Sequence, residues 1–243
     1  MDMRVLEQLM TELAERGFSV VEGLLPEALL SALSERLDEL REGEALRPAL
    51  IGRGQERQRQ RQIRGDSIHW LPPPPRHDLH ISPSAPLSAL PLKAQRMSLS
   101  AAPPLGAQLS AAERQLYQEI DALVTELNRA FFMGVKRYEF HYACYEAGAG
   151  YERHSDRFKG SDERVISLVF YLNPGWLPGD GGELKLYLPE ELDGGTLDPL
   201  TGERSLLVAP LWGYTVCFES ARFEHEVLAA HTERRSVTGW LRR

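Results

Sequence analysis

His154-Ser155-Asp156 is a place in this chain where side chains of the right type stand at a spacing that could do chemistry. In an extended segment, residues i and i+2 project from one face, so the imidazole and the carboxylate would converge on a single point. A further histidine, His225, follows 71 positions later in Phe223-Glu-His-Glu-Val227. Two imidazoles and one carboxylate on one side of a metal leave its other positions open. That pattern suits a non-haem Fe(II) site, which must also bind a cosubstrate and dioxygen. A structural zinc site is more often closed by cysteines, and neither Cys144 nor Cys217 has ligand spacing. A hydrolase triad from the same three residues is poor geometry, since Ser155 points away from His154. Alone, H-x-D recurs by chance; its company decides.

That company begins nine positions after His225, at Arg234. In a strand, alternation sets Arg234, Ser236, Thr238 and Trp240 on one face and Arg235, Val237, Gly239 and Leu241 on the other. A guanidinium fork beside an open iron site is what a dicarboxylate cosubstrate requires, because its remote carboxylate pairs bidentately with arginine. Arg234 is the expected partner, and Arg235 a surface charge. Tyr145, Tyr171 and Trp240 read equally as core aromatics on their own, and Asp66 beside Gly65 as a turn residue.

The elements that must hold these groups are legible in outline. Val5, Leu6, Leu9, Met10 and Leu13 recur at helical spacing up to Gly17, and Phe18–Val21 reads as a short strand. A second helix starts at Pro26, carries Leu29, Leu30, Leu33, Leu37 and Leu40 on one face and ends near Gly43. Ser110 with Glu113 forms a capping box for a third helix with Leu116, Ile120, Leu123, Val124, Leu127 and Phe131 inward. From Tyr138 onward short β-rich runs alternate with turn signals: 164–172, 183–188, 205–208, 214–218 and 236–240. Strands at this spacing after N-terminal helices predict a mainly β, α+β protein: a sandwich or jelly roll braced by helices. The stretch 52–63, with five arginines from Arg53 to Arg64, reads as a solvated loop, and 72–104 holds nine of the sixteen prolines, a long connection.

At 243 residues, with 42% apolar and 26% charged side chains, the chain can build a sizeable core. No run approaches the roughly 18 apolar residues of a membrane-spanning helix, and the start lacks the basic-then-apolar order of a signal peptide. Two cysteines cannot make a disulfide framework, so a cytoplasmic location is expected. The net charge of -7 argues against nucleic acid or an anionic membrane as partner. His69, His77 and His80 lack the carboxylates a second metal site would need, and His141 and His231 read as ordinary strand or surface residues.

Taken together, Tyr142-Ala-Cys-Tyr145, Gly150-Tyr151, His154-Ser-Asp156, Tyr171-Leu-Asn173, Asp180-Gly-Gly-Glu-Leu184 and His225-Glu-Val227 with Arg234 and Trp240 resemble the 2-oxoglutarate- and Fe(II)-dependent prolyl hydroxylases. The likeness is nearest to the cytosolic, oxygen-sensing type and its bacterial relatives. It is dense over 138–243, thinner over 17–70 and absent over 71–108. Arg64-Gly-Asp-Ser-Ile-His-Trp70 resembles the segment before that family's substrate loop. The spacing from Asp156 to Tyr-Leu-Asn departs from the animal enzymes by one inserted residue. The resemblance implies a double-stranded β-helix over 138–243, supported by 1–137, with a substrate lid at 52–66 and the proline-rich connection at 71–108, all one dioxygenase domain. It implies His154, Asp156 and His225 as catalytic iron ligands. Arg234, Tyr145, Tyr171 and Thr238 would bind 2-oxoglutarate; Arg164, Trp240 and Asp66 would lie at the substrate. Dioxygen is then the second cosubstrate, ascorbate a supporting reductant, and succinate and carbon dioxide the co-products.

The expected substrate is a prolyl residue of a protein or peptide, with a translation factor or ribosomal protein suggested by the bacterial relatives. Hydroxylation of another side chain or a small molecule stays open, as does a non-catalytic module that binds peptide or 2-oxoglutarate. The intact ligand set speaks against the latter.

Overall fold

A computed structural model of the protein describes residues 1–50, 60, 63–74, 108–157 and 163–243. Most of the expected lid and of the proline-rich connection, with His77 and His80, therefore lies outside the described residues. Three helices are described: α1 (Met3–Arg16), α2 (Glu27–Glu42) and α3 (Ala111–Phe131). Asp2 caps α1 by accepting from the amides of Arg4 and Val5, and Gly17 ends it in the left-handed conformation. Pro26 is the N-cap of α2. The capping box of α3 is present in both directions, Ser110 to Glu113 and back.

Among the described residues twelve strands are found: β1 (Phe18–Glu22), β2 (Arg47–Pro48), β3 (Ser67–Trp70), β4 (Arg137–Tyr145), β5 (Tyr151–His154), β6 (Arg164–Tyr171), β7 (Leu184–Leu188), β8 (Thr196–Leu197), β9 (Arg204–Val208), β10 (Tyr214–Glu219), β11 (His225–Val227) and β12 (Arg234–Arg242). They form two antiparallel sheets. The larger runs β1-β10-β6-β12-β4-β3-β2 and the smaller β5-β11-β7-β9-β8. This is the jelly roll expected from the sequence. The short strands β2, β3 and β8 are additions that periodicity over so few residues could not show.

Register divides the large sheet into two faces. Tyr145 lies opposite Arg234, Ala143 opposite Ser236 and His141 opposite Thr238. Across the other edge of β12, Ser236 faces Tyr171, Thr238 faces Val169 and Trp240 faces Ser167. Those side chains share the face that looks toward the small sheet. The opposite face, with Phe140, Tyr142, Ile166, Leu168, Phe170, Val237 and Leu241, joins the leucines of α1, α2 and α3 in the larger core. Leu9, Leu29, Leu33, Leu37, Leu116 and Leu123 are fully enclosed there, each worth about 1.5–3 kcal/mol of transfer free energy. The helices thus stiffen one side of the sheet and leave the other to build a site.

Candidate metal centre

His225 on β11 pairs directly with His154 at the end of β5, and their rings lie 4.3 Å apart between centroids. Asp156 comes from just beyond the strand. The sequence reading of an extended His-Ser-Asp holds only to His154, after which the chain bends. Ser155 secures the bend by donating to the Ser220 carbonyl and accepting from the Arg157 amide, both at 3.3 Å. The carboxylate nevertheless reaches both imidazoles, with Oδ1 3.9 Å from His154 Nε2 and Oδ2 3.5 Å from His225 Nε2. One ligand atom from each residue fits within 4.8 Å of the others, and among the described residues no other such cluster of histidine, cysteine or acid is found.

The neighbours aim these atoms. His154 Nδ1 lies 2.7 Å from the Glu152 carbonyl and His225 Nδ1 3.3 Å from that of Phe223. A carbonyl oxygen only accepts, so each Nδ1 carries the proton and each Nε2 offers its lone pair inward, the arrangement that orients metal-binding histidines. Ser167 donates to Asp156 Oδ2 at 2.7 Å and sits 2.8 Å from Ser220 Oγ. Burial tends to raise the Asp156 pKa, but His225 and His154, then Arg164 and Ser167, outweigh it and hold the carboxyl at about 2. Burial, reinforced by His225, lowers His154 to about 4. Both stand in the deprotonated forms that a metal requires.

Arg234 lies on the neighbouring wall, 3% exposed. Its Nε donates to the Gly182 carbonyl at 2.8 Å and its Nη1 to Ser236 Oγ at 3.4 Å. Tyr145 and Tyr171 flank the guanidinium at 5.0 and 5.1 Å from ring centroid to Cζ. Among the described residues no acidic side chain pairs with it, and a buried cation without a counter-charge is costly. The Tyr171 hydroxyl beside it is buried with no well-formed hydrogen bond. An unneutralised guanidinium and an unsatisfied hydroxyl fit a carboxylate, so this pocket suits the distal end of 2-oxoglutarate. Arg235, as expected, faces away and pairs with Asp38 on α2 at 2.8 Å. Thr238 is one step removed, 3.3 Å from Ser236 Oγ.

The remaining candidates border this centre. The Arg164 guanidinium stacks on the Trp240 ring at 3.6 Å, pairs with Glu139 at 2.8 Å and reaches the Asp156 carbonyl at 3.5 Å. Asp66 is no turn residue: it is buried and held bidentately by Arg64 at 2.7 and 2.9 Å. Arg64 also lies over Tyr151, whose ring stacks on His154 with centroids 3.6 Å apart. Sequence reasoning assigned no part to Gly182, Ser167, Ser236 or Tyr151. Once Tyr171 is placed inward, alternation along β6 brings Ser167 with it, so that signal was present. His141, expected as ordinary, is fully buried on the site-facing side of β4.

Residues 140–242 match the family described as the 2OG-Fe(II) oxygenase superfamily. A Pseudomonas putida prolyl-4-hydroxylase of known structure is 31% identical, with a TM-score of 0.72, and the match covers 98% of this chain and 100% of that one. A Trichoplax adhaerens prolyl hydroxylase, solved with a hypoxia-inducible-factor peptide fragment, is 22% identical with a TM-score of 0.71, over 98% and 89% of the two chains. The chain belongs to the Fe(II)- and 2-oxoglutarate-dependent oxygenases, within their prolyl hydroxylase family. It is a dioxygenase whose cofactors are Fe(II) and 2-oxoglutarate.

Proposed function

We propose that this enzyme hydroxylates a prolyl residue in a polypeptide, with 2-oxoglutarate converted to succinate and carbon dioxide. The observation that carries the reading is the juxtaposition of an open His154–Asp156–His225 cluster with a buried, acid-free Arg234. Prolyl residues are favoured because the 31% identical full-length relative is a prolyl-4-hydroxylase. A polypeptide is favoured because the relative from Trichoplax holds a peptide fragment.

In this reading His154, Asp156 and His225 hold Fe(II), which supplies oxygen activation when bound. Arg234 takes the distal carboxylate of 2-oxoglutarate, and the Tyr171 hydroxyl donates to the same group. Tyr145 walls the cosubstrate from solvent, and Ser236 with Thr238 completes the polar lining. Ser167 keeps the Asp156 carboxylate turned toward the imidazoles. Arg164 and Trp240 border the substrate, and Asp66, tied to Arg64, fixes the end of the 52–66 segment. Ascorbate would serve only to keep iron reduced. The unpaired buried cysteines suit a reducing cytoplasm, and a translation factor or ribosomal protein is the first substrate class to screen.

The test is incubation of the Fe(II)-loaded protein with 2-oxoglutarate and a panel of proline-containing peptides drawn from such proteins. Mass spectrometry should locate one added oxygen on proline, matched by succinate. Steady 2-oxoglutarate consumption with oxygen appearing on other residues, or on none, would sink the prolyl assignment.

A further inference from the structure

Trp70, His141 and Trp240 come from three adjacent strands, β3, β4 and β12, and their rings touch one another. Centroids are 4.8 Å apart for Trp70–His141, 5.4 Å for the stacked His141–Trp240 pair and 6.1 Å for Trp70–Trp240. Register puts His141 on the same face as Arg234 and Tyr145, and Trp240 is one guanidinium, that of Arg164, away from the Asp156 carbonyl. Within this cluster two polar atoms are buried without a hydrogen bond: His141 Nδ1 and Trp240 Nε1. Leaving such an atom buried and unpaired is costly, and unsatisfied groups in native proteins call for an explanation in function.

We propose that His141 is a substrate-recognition residue: its Nδ1 and the neighbouring Trp240 Nε1 hydrogen-bond the main chain of the polypeptide beside the residue that is oxidised. This rests on the polypeptide reading above. An indole N–H can only donate, while an imidazole without its second proton offers one nitrogen as acceptor. Burial, with help from Arg64, pushes the His141 pKa down to about 3, so the ring is uncharged at working pH. The C=O and N–H of one trans peptide unit point to opposite sides, whereas an extended residue's own N–H and C=O point to the same side, so a donor beside an acceptor is the complement of a single residue. Proline has no N–H of its own, so the residue that fits is the one that follows it: its N–H on His141 and its carbonyl on Trp240. Trp70 is the half-buried member of the trio, and displacement of its ring is the route by which a peptide reaches the other two.

The experiment takes the best peptide from the proline panel, in its natural form and methylated on the backbone nitrogen after the target proline. Wild type, His141→Met and His141→Asn are compared as full-length, Fe(II)-loaded enzymes; asparagine can place a polar atom near the Nδ1 position and methionine cannot. The charge-transfer absorption of bound Fe(II) and 2-oxoglutarate checks that each variant is folded. His141→Met should raise the peptide KM at least tenfold while changing kcat less than threefold, with His141→Asn recovering most of the loss. Methylation should raise KM for wild type and add nothing in His141→Met. An unchanged KM in His141→Met, or additive effects of methylation and mutation, overturns the proposal while leaving prolyl hydroxylation intact. If wild type oxidises no peptide of the panel, the polypeptide reading fails and this inference falls with it. Should neither variant fold, the Nδ1 resonance of nitrogen-15-labelled wild type, loaded with Zn(II) and 2-oxoglutarate, must move when the natural peptide is added; a stationary resonance has the same overturning force.

Discussion

Arg234 Nε and the Gly182 carbonyl are 2.8 Å apart, which ties Arg234 on β12, the proposed partner of 2-oxoglutarate, to the Asp180-Gly-Gly turn before β7. Gly182 has φ of +77°, and a Cβ there would stand 2.9 Å from Arg234 Cδ and 3.3 Å from Ala230 Cβ. Gly182→Ala therefore both strains the turn and pushes the guanidinium off its carbonyl. Affinity for 2-oxoglutarate should fall roughly tenfold or more, about 1.4 kcal/mol, with Fe(II) binding kept. Anaerobic titration of the Fe(II) protein with 2-oxoglutarate, read by its visible charge-transfer band, checks this. Arg234→Lys, which loses the planar fork, should be weaker still. Wild-type affinity in both variants would remove Arg234 from the cosubstrate site.

Ser167 holds the Asp156 carboxylate, a proposed metal ligand, in place from behind through the 2.7 Å bond to Asp156 Oδ2. Partners of this kind are typically worth 10- to 100-fold in metal affinity. Ser167→Ala should weaken Fe(II) binding by about that factor and leave 2-oxoglutarate affinity at saturating metal near wild type. Competition with a metal-sensitive dye measures the first and the charge-transfer titration the second. Equal loss of both would point to general damage in β6 instead.

Much of this centre could be read from the amino-acid sequence because it depends on short-range periodicity. Strand alternation sets Arg234 and Arg235 on opposite faces, and the structure puts the latter on Asp38 of α2, on the helical side of the sheet. The three helices are equally legible, since their leucines recur at helical spacing and their caps are local. What stayed hidden depends on contacts between distant segments. Asp156 leaves the strand, and its approach to His225 needs the Ser155–Ser220 contact. The tie between Gly182 and Arg234 spans 52 positions. His141 looks like any strand histidine until β3 and β12 bring two tryptophans against it.

Buried imidazoles make stability depend on acid. The His154 and His141 pKa values lie at about 4 and about 3 in the folded protein, against an ordinary 6.5. The unfolded chain therefore binds protons in this range that the native state refuses, so stability is full above about pH 6.5 and declines as pH falls toward the folded values. Asp156, held at about 2 against 3.8, adds a further loss only below about pH 4. The Tm of the metal-free protein should fall from pH 7 to pH 5. In His141→Met the decline should be shallower, by roughly one proton fewer taken up on unfolding at the acid end. Parallel declines for the two proteins would mean that the buried ring is protonated as easily as a free one.

Tyr151 joins the proposed iron site to the segment before β3. Its ring lies against His154 at 3.6 Å with 18° between the planes, and Arg64, which grips Asp66, covers it at 4.8 Å. The backbone follows the same path: Glu152 donates to the Ile63 carbonyl at 2.8 Å and Gly65 to that of Gly150 at 2.9 Å. A cation over an aromatic face and a stacked imidazole need the ring and not the hydroxyl. Tyr151→Phe should therefore bind Fe(II) like wild type. Tyr151→Ala removes the surface that fixes the His154 plane and leaves Arg64 without its platform, so Fe(II) affinity should drop about tenfold or more. If the alanine variant keeps full metal affinity, the stack is packing alone and does not fix the His154 ring.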